Sequence, residues 1–439
     1  MAAFPIPRPR LLGLLLVAAV PLAVASASPA FVAIGLAVIL GGLWLAALDW
    51  RGSPRLDARD VRRVVDPQLS LGAPNRVEIT VRNPFPRSVR IRIRDDVPVS
   101  FRVDRRETAL ELAAGTAGSL AYLARPRHRG TFRFGDIHVR AVGPLDLVER
   151  QSVIPAAAPA NVYPDLRELR RYDISTRRGL AYDAGQRRAR IPGAGSVFER
   201  LREYQPDDDP RSISWTATAR RGRPISVEYE TERQQRIVIV LDAGRMMAST
   251  LGELTKLDHA VNTALMLSYV ATAKGDEVGV VGYSDEVRSF LPARRGRRQF
   301  LRISDALRRL EVTTTESDPR AAFEFIRSRA ARRALVVLFT DLVDTDASRG
   351  LVSAVSRLAG NNLVLCCVLA DPRLAELARD APATTAAAYE RTIAQTVIED
   401  RARVLAVLRQ RGVHTIDVPS DRLTVAVIQR YLELKKRFL

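Results

Sequence analysis

Acidic or hydroxyl residues follow four apolar runs in the C-terminal half of the chain. These residues are Asp242, Ser284 with Asp285, Asp341 and Asp371. If the runs are parallel strands, their carboxyl ends meet at one edge of a sheet, where open α/β folds bind ligands. Such oxygens suit a hard cation such as Mg²⁺, but aspartate at a strand end is also a common turn and helix-cap residue. Position alone favours the capping interpretation, and a cation site remains the alternative.

The sequence lacks the motifs of the common enzyme classes. It contains no GxxxxGK[ST] phosphate loop, no HExxH, no paired CxxC and no GxSxG. The four histidines lie in different segments, at His128, His138, His259 and His414. The one enzyme that the residues permit is a hydrolase with a metal at the acidic edge, and it lacks a general base beyond the aspartates themselves. We therefore predict a protein that binds partners and does not catalyse a reaction.

Residues 236–439 alternate between apolar strands and helical segments. Predicted strands cover 236–242, 277–283, 287–291, 334–341, 362–370 and 413–418. Predicted helices cover 257–273, 297–310, 319–332, 347–359, 373–411 and 421–437. Apolar runs without alternation are typical of strands that are buried on both faces of a parallel sheet. With right-handed crossovers, this order predicts a doubly wound α/β domain in which 334–341 is central.

Residues 51–155 have a different, alternating pattern. Strand-like segments at 76–81, 88–93, 109–113, 119–124, 131–142 and 145–150 are separated by Pro, Gly, Asp and Asn. Short strands at this spacing predict a small all-β domain, a β-sandwich or an open barrel. Residues 156–235 form an arginine-rich connector, in which we expect extended chain packed on the next domain and a short helix near 213–220.

Two uncharged apolar runs lie at 11–28 and 30–48. Each is close to the ~20 residues that cross a bilayer core, and Pro29 leaves almost no loop between them, so residues 1–50 are predicted to form a transmembrane helical hairpin. Arginines flank both sides, which predicts an inner (plasma) membrane protein whose remaining chain is cytoplasmic. A secretory signal with a cleavage-like Ala25-Ser26-Ala27 is the alternative, and it leaves the second run as an anchor with the same orientation.

The chain is strongly basic, with a formal net charge of +19 that comes almost entirely from arginine. Such a charge suggests anionic lipid, nucleic acid or an acidic partner. Heavy use of Ala, Arg, Gly and Pro with only four lysines also fits a genome rich in G and C. Because no recognition motif for nucleic acid is present, we predict no nucleic-acid binding and expect the lipid bilayer to be the anionic surface.

The two cysteines, Cys366 and Cys367, are adjacent inside an apolar run. Neighbouring residues of a strand point to opposite faces of the sheet, which disfavours a disulfide between them. We predict two buried free thiols, which suit a reducing compartment.

The ends of two predicted strands resemble those of the von Willebrand factor A fold. The metal-ion-dependent adhesion site of that fold uses Asp-x-Ser-x-Ser after the first strand, a Thr from a later loop and an Asp after the central strand. Asp242 and Asp341 match, and Thr314 or a neighbouring threonine offers the hydroxyl. The serine positions hold Gly244 and Met246. The resemblance therefore implies a degenerate site without a cofactor, unless waters complete the shell of a Mg²⁺ ion.

A longer resemblance covers the connector and its surroundings. The segment LREYQPDDDPRSISWTATARRGRPISVEYETE, followed by a strand and LDAGRMM, resembles the signature of the Domain of Unknown Function 58 family. Other matching pieces are Asn83 with its proline-rich turn, residues 129–132, 143–147 and 162–164, and the paired N-terminal helices. Asp207 stands where the family usually has a glycine. The resemblance implies a β-sandwich followed by a von Willebrand A-like domain.

Members of that family resemble partners of MoxR-type AAA+ ATPases and are thought to help assemble or activate other proteins. The resemblance thus implies a non-catalytic adaptor or assembly partner, with the ATPase and an unknown client protein as its partners. A structural scaffold of a cell-envelope complex is the alternative. Arginine–carboxylate forks and aromatic anchors serve both domain docking and partner binding, and we expect docking. The candidate residues are Arg202, Glu203, Tyr204, Asp209, Arg211, Trp215 and Arg220.

Overall fold

The structure is a computed structural model that describes residues 5–23, 28–164, 197–205, 210, 213–230, 235–329, 333–342, 348–382 and 384–437. The chain divides into two compact units, an N-terminal unit of Met1–Asp165 and a C-terminal unit of Leu166–Leu439. The fold is mixed: the N-terminal unit combines apolar helices with β-strands, and the C-terminal unit combines a sheet with helices.

The N-terminal unit begins with a short strand and three helices. They are β1 (Pro5–Pro7), α1 (Pro9–Val17), α2 (Ala19–Ala23) and α3 (Pro29–Gly52). Among the described residues, α3 is the helix that is long and apolar enough to cross a membrane, and most of it is exposed. The predicted first spanning run instead contains two shorter helices. Pro21 accounts for the break, because its ring has no N–H and clashes with the carbonyl four residues earlier, at the end of α1.

Eleven further strands form the rest of this unit. They are β2 (Val61–Val65), β3 (Gln68–Ser70), β4 (Asn75–Arg82), β5 (Val89–Asp95), β6 (Phe101–Val103), β7 (Glu107–Leu112), β8 (Ala117–Pro126), β9 (Gly130–Phe134), β10 (Ile137–Val142), β11 (Val148–Ile154) and β12 (Ala158–Tyr163). The sheets have the strand orders β1-β11-β10-β5-β7, β2-β4-β8-β6 and β3-β12-β9. All neighbours are antiparallel except β3 and β12, which are parallel.

Alternating side chains build the interior of the β-strands. In β5, Val89, Ile91 and Ile93 are buried, while the arginines between them are exposed or half-buried, as the sequence pattern predicts. A buried charged group links the two larger sheets. Asp95 accepts hydrogen bonds from Arg63 on β2 and, at 2.6 Å, from the hydroxyl of Tyr122 on β8. Burial in this apolar interior, reinforced by the Asp95 charge, raises the pKa of Tyr122 well above its usual value.

The two ends of the N-terminal segment meet the same strand. β1 pairs antiparallel with β11. At the other end of the segment, the carboxylate of Asp49, near the end of α3, accepts hydrogen bonds from the backbone amides of Leu145 (2.6 Å), Leu147 (2.8 Å) and Val148 (2.9 Å). The guanidinium of Arg150 lies 3.9 Å from the ring centroid of Trp50. The helical segment thus leaves the β-strands and returns to them at one place.

The C-terminal unit opens with a small antiparallel pair of strands. β13 (Val197–Glu203) pairs with β14 (Ile225–Glu230), and the helix α4 (Trp215–Arg221) lies between them in sequence. The side chain of Ser214 accepts a hydrogen bond from the amide of Ala217, and Gly222, at φ 67°, ends the helix in the left-handed conformation that glycine adopts without a steric penalty. The short helix predicted near 213–220 is present. Docking of this segment on the neighbouring sheet stays a prediction.

A six-stranded sheet with helices follows. Its strands are β15 (Arg236–Asp242), β18 (Glu277–Tyr283), β19 (Val287–Arg294), β20 (Leu335–Phe339), β21 (Leu363–Ala370) and β22 (His414–Pro419); the two-residue strands β16 (Thr250–Leu251) and β17 (Leu254–Thr255) form a separate hairpin. The helices are α5 (Lys256–Ala273), α6 (Arg297–Arg309), α7 (Pro319–Arg329), α8 (Arg349–Ala359), α9 (Pro372–Arg379), α10 (Thr385–Gln410) and α11 (Ser420–Arg437). The strand order is β19-β18-β15-β20-β21-β22, and only β19 is antiparallel to its neighbour.

Both faces of this sheet are covered by helices. Alternate residues of β15 point to opposite sides: Ile237, Ile239 and Leu241 pack against α5, α6 and α11, whereas Val238 and Val240 pack against α7, α8 and the second half of α10. This two-sided burial explains why the strands are continuous apolar runs. The predicted doubly wound arrangement is therefore observed, with β15 and β20 at the centre.

The two cysteines lie in the middle of this sheet, on opposite faces, as predicted. Both are free and buried. Burial raises the pKa of Cys366 to about 12 and that of Cys367 well above its usual value. We therefore expect neither thiol of the native protein to react with an aromatic disulfide reagent at pH 8, and both to react fully after denaturation. Absorbance of the released thiolate measures this, and rapid reaction of the native protein would contradict the buried placement.

Candidate functional site

The predicted acidic edge is formed by the carboxyl ends of the central strands. Asp242 ends β15, and Thr340 and Asp341 directly follow β20, the next strand of the sheet. The helix α5 begins beside them, held by a capping box in which the Thr255 side chain accepts from the amide of Asp258 and the Asp258 carboxylate accepts from the amide of Thr255. These elements bring a buried set of charged side chains together.

The carboxylate of Asp242 is fully engaged by donors from its own unit. It accepts hydrogen bonds from the amide of Gly244 (2.9 Å), the hydroxyl of Thr340 (2.7 Å) and the hydroxyl of Ser317. Burial raises the pKa of Asp242, the nearby charge of Asp341 adds to the rise, and the three donors oppose it. Asp242 therefore holds the loops that contain Gly244, Ser317 and Thr340 together, and its oxygens are already occupied by these donors.

Asp341 forms a buried ion pair with a lysine. The ammonium of Lys256, the first residue of α5, lies 2.6 Å from Oδ2 of Asp341. The two side chains are only 10% and 4% exposed. An ion pair removed from water in this way is strongly coupled, because loss of either partner leaves the other as an uncompensated buried charge.

A second cation extends the cluster toward the next strand. Arg401, on α10, places its guanidinium 4.0 Å from Oδ1 of Asp341 and 3.4 Å from Oδ1 of Asp417 on β22. The same guanidinium donates a hydrogen bond to the carbonyl of Leu369 at the end of β21. Burial raises the pKa of Asp417, and the charge of Arg401 opposes that rise. Three strands are thus joined at their carboxyl ends by charged groups.

The other predicted edge residues are also paired. The hydroxyl of Ser284 donates to Asp285 at 2.6 Å, and Arg288 donates to the same carboxylate at 2.8 Å. These hydrogen bonds, Ser284 first, hold the pKa of Asp285 well below its usual range. Asp371 caps α9 by accepting a hydrogen bond from the amide of Arg373, at 2.9 Å. The capping interpretation describes Asp371, whereas Asp242 and Asp341 belong to the buried cluster.

The described residues do not fit a hard divalent cation between Asp242 and Asp341. One oxygen of Asp341 already contacts the Lys256 ammonium, and a cation so close to that ammonium would be repelled. At the first serine position, a Cβ on Gly244 would lie 2.0 Å from the hydroxyl oxygen of Ser317, so a serine cannot be accommodated without displacing Ser317. Within the described ranges, no group of three or more His, Cys, Asp or Glu side chains is placed to hold a metal.

The sequence predicted the two aspartates of this cluster but neither of its two cations. Asp242 and Asp341 are neighbours, as predicted, but the loop hydroxyl that reaches Asp242 belongs to Ser317, while Thr314 is exposed. Lys256 and Arg401 were not predicted as site residues. A signal for Lys256 existed, because it is one of only four lysines and starts a helix, where the helix dipole disfavours a positive charge. Nothing in the sequence distinguishes Arg401 among the many arginines.

The predicted docking or partner-binding residues lie in and beside the β13–β14 pair. Arg202 and Glu203 end β13, and the amide of Tyr204 donates to the carbonyl of Pro224 at 3.0 Å. Glu203 forms an exposed ion pair with Arg223. Trp215, the first residue of α4, is 73% exposed, and Arg220 is exposed in its last turn. Asp209 and Arg211 lie outside the described residues, so their part in the cluster stays a prediction.

The chain is similar to uncharacterised bacterial proteins. Residues 200–405 match the family model described as "Protein of unknown function DUF58". Uncharacterised proteins Rv1480 of Mycobacterium tuberculosis and Mb1516 of Mycobacterium bovis are each 24% identical to this chain, over 56% of its length and 82% of theirs.

Two solved structures show a weaker, structural similarity. The conserved hypothetical protein BatB from Bacteroides thetaiotaomicron matches 46% of this chain and 99% of its own, at 14% identity and a TM-score of 0.34. An aerotolerance-related membrane protein from Bacteroides fragilis matches 44% of this chain and 97% of its own, at 12% identity and a TM-score of 0.31. Similarity at this level transfers no function. The matched segment, 200–405, is a little less than half of the chain, spans both the β13–β14 signature and most of the α/β sheet, and is similar to the family of unknown function DUF58.

Proposed function

We propose that this chain is a non-catalytic, membrane-anchored protein-interaction factor with a von Willebrand A-like domain, and an adaptor or assembly partner of a MoxR-type AAA+ ATPase. The class of partner comes from the family resemblance of the signature segment. Separate sets of contacts support the membrane anchor, the partner-binding surface and the absence of catalysis.

The anchoring rests on where the helical segment starts and ends. β1 and the end of α3 both contact β11 or the turn that precedes it, so both ends of the segment lie beside one set of β-strands. A segment that crosses a membrane under this constraint crosses it twice. The arginines that flank the segment favour the cytoplasmic side for both ends. We therefore propose a hairpin anchor in the inner membrane with both units in the cytoplasm.

The observation that carries the interaction proposal is an exposed apolar stripe on α10. Arg401 reaches the carboxyl end of β21, and the part of α10 before it, residues 385–400, is roughly 24 Å long. Arg391 and Gln395 donate to the carbonyl of Ala378 on α9, and therefore face that helix. Tyr389 and Ile393 lie on the opposite side of α10 and are 71% and 47% exposed. Exposed aromatic and aliphatic anchors are typical of partner-binding surfaces.

The charged cluster supports a role without catalysis. A general base or nucleophile needs a group that can reach a substrate, whereas Asp242, Asp341 and Asp417 contact donors or cations of their own unit. Through Arg401, the cluster ties α10 to the carboxyl edge of the sheet. We propose that the carboxyl edge is a rigid support for a binding surface.

Capture of partners from native membranes tests this function. Tagged full-length protein is isolated from membranes of its source bacterium with ATP or a non-hydrolysable analogue, and the bound proteins are identified by mass spectrometry. We expect a MoxR-type ATPase to be enriched, more strongly with the analogue. In the double variant Tyr389→Ser/Ile393→Ser, enrichment of the ATPase should fall by a factor of about ten or more. Two anchors of this kind contribute about 2 kcal/mol or more to the free energy of binding.

The matched control is Val425→Ser, which removes an exposed apolar side chain from α11, on a different helix. It should capture the ATPase as the unmodified chain does. Enrichment of envelope proteins alone, indifferent to nucleotide, would contradict the adaptor proposal and favour the structural scaffold.

A further inference from the structure

We propose that the ammonium of Lys256 is the permanent cation of the carboxyl edge, held by Asp341, one of the two carboxylates that resemble metal ligands in the sequence. The ammonium then compensates the charge of Asp341 without a divalent ion, and its own positive charge disfavours the binding of such an ion. This role of Lys256 does not depend on whether a partner binds at the carboxyl edge.

The position of Lys256 supports this role. A lysine at the first position of α5 is disfavoured by the positive end of the helix dipole, and burial of its ammonium adds a cost of desolvation. Both costs are offset only by a nearby negative group, and the 2.6 Å contact with Oδ2 of Asp341 provides it. The amide of Lys256 also donates to the carbonyl of Ser249, at 2.9 Å, which fixes the backbone from which the side chain reaches Asp341.

Among the residues that the structure describes, both carboxylate oxygens of Asp341 already face a positive group. Its Oδ2 contacts Lys256, and the guanidinium of Arg401 lies 4.0 Å from its Oδ1. Asp242, the other predicted ligand, accepts from an amide and two hydroxyls. A divalent ion would have to displace the ammonium, rotate the hydroxyls and approach the positive charges of Lys256 and Arg401. Each step is unfavourable, so a millimolar ion should not exchange with the ammonium.

The small number of lysines makes the proposal directly measurable. The chain has four, Lys256, Lys274, Lys435 and Lys436, of which Lys274 and Lys436 are exposed. Lys435 is paired with Asp276, at 2.7 Å, on a different part of the unit. Reductive methylation of the full-length protein, followed by peptide mass spectrometry, reports the accessibility of each ammonium separately.

We expect Lys256 to be methylated at least about tenfold more slowly than Lys274, since a factor of ten requires only about 1.4 kcal/mol of protection. The rate of methylation at Lys256 should be the same with a millimolar excess of Mg²⁺, with a millimolar excess of Mn²⁺ and with a chelator. The variant Asp341→Asn should accelerate methylation at Lys256 and leave the rate of methylation at Lys435 unchanged. General unfolding would accelerate both, so this comparison isolates the loss of the ion pair.

Two results would overturn the proposal. Acceleration at Lys256 by Mg²⁺ or Mn²⁺, saturable and absent in Asp341→Asn, would mean that a metal displaces the ammonium. Methylation of Lys256 as fast as that of Lys274 in the unmodified chain would mean that the ion pair does not persist in solution. The methylation experiment requires no partner, so a negative result there does not contradict the adaptor proposal. Likewise, failure to capture an ATPase does not contradict the proposed role of Lys256.

Discussion

Replacement of Lys256 by methionine is expected to lower the free energy of unfolding of the C-terminal unit by about 3–5 kcal/mol. Methionine is similar in length, so little packing is lost, but the carboxylate of Asp341 loses the ammonium that lies 2.6 Å from it. Arg401, at 4.0 Å, is too far away to replace that contact. The rate at which Cys366 and Cys367 react with a thiol reagent in increasing urea measures the effect, because both thiols lie in the centre of this sheet.

The control is Lys274→Met, which removes an exposed ammonium just after α5. Surface substitutions of this type usually change stability by less than about 0.5 kcal/mol. The double variant Lys256→Met/Asp341→Asn should recover part of the loss, because the buried carboxylate charge is then also removed. Equal stability of Lys256→Met and the unmodified chain would contradict a structural role for the pair.

A comparably large effect is expected in the N-terminal unit when Asp49 is replaced by alanine. Its carboxylate is the common acceptor of three backbone amides, two in the turn before β11 and one at the first residue of β11, at 2.6–2.9 Å, and it is fully buried. Removal leaves several buried donors without an acceptor, at about 1–3 kcal/mol each, so we expect a loss of at least about 3 kcal/mol. Thermal unfolding in detergent, followed by the fluorescence of Trp50 beside this joint, measures it.

Gly143→Ala provides an independent test of the contact between Asp49 and these backbone amides. A Cβ at Gly143 would lie 2.4 Å from the carboxylate of Asp49, so alanine must expel that side chain and should resemble Asp49→Ala. Glu111→Ala, on an exposed position of β7, is the control and should change stability by less than about 0.5 kcal/mol. A stable Asp49→Ala variant with unchanged Trp50 fluorescence would mean that the helix is not held by these amides.

Secondary structure in the α/β unit was predictable to within a few residues. The runs 236–242 and 277–283 coincide with β15 and β18, because a strand that is buried on both faces must be apolar at every position. The helical segments predicted over 373–411 are α9 and α10, and α9 ends at Asp380.

Prediction was poorer for the β-rich unit. Long alternating strands such as β4, β5 and β8 were found, but β1, β2, β3, β6 and β12 were not, and the segment 131–142 is two strands, β9 and β10, in different sheets. Strands of three to six residues give too few alternations to be distinguished from loops. Which short segments pair depends on the strands beside them, which are distant in the chain.

The sequence by itself determined the α/β order, the apolar N-terminal segment, the buried thiols and the location of an acidic edge, because each follows from the periodicity or type of adjacent residues. Only the tertiary structure decided what that edge contains. Lys256 and Asp341 are 85 positions apart, and Asp49 meets amides 96 to 99 positions away. Contacts of this range depend on how helices and strands pack. A carboxylate that resembles a metal ligand in the sequence is therefore the partner of a buried ammonium in the folded protein.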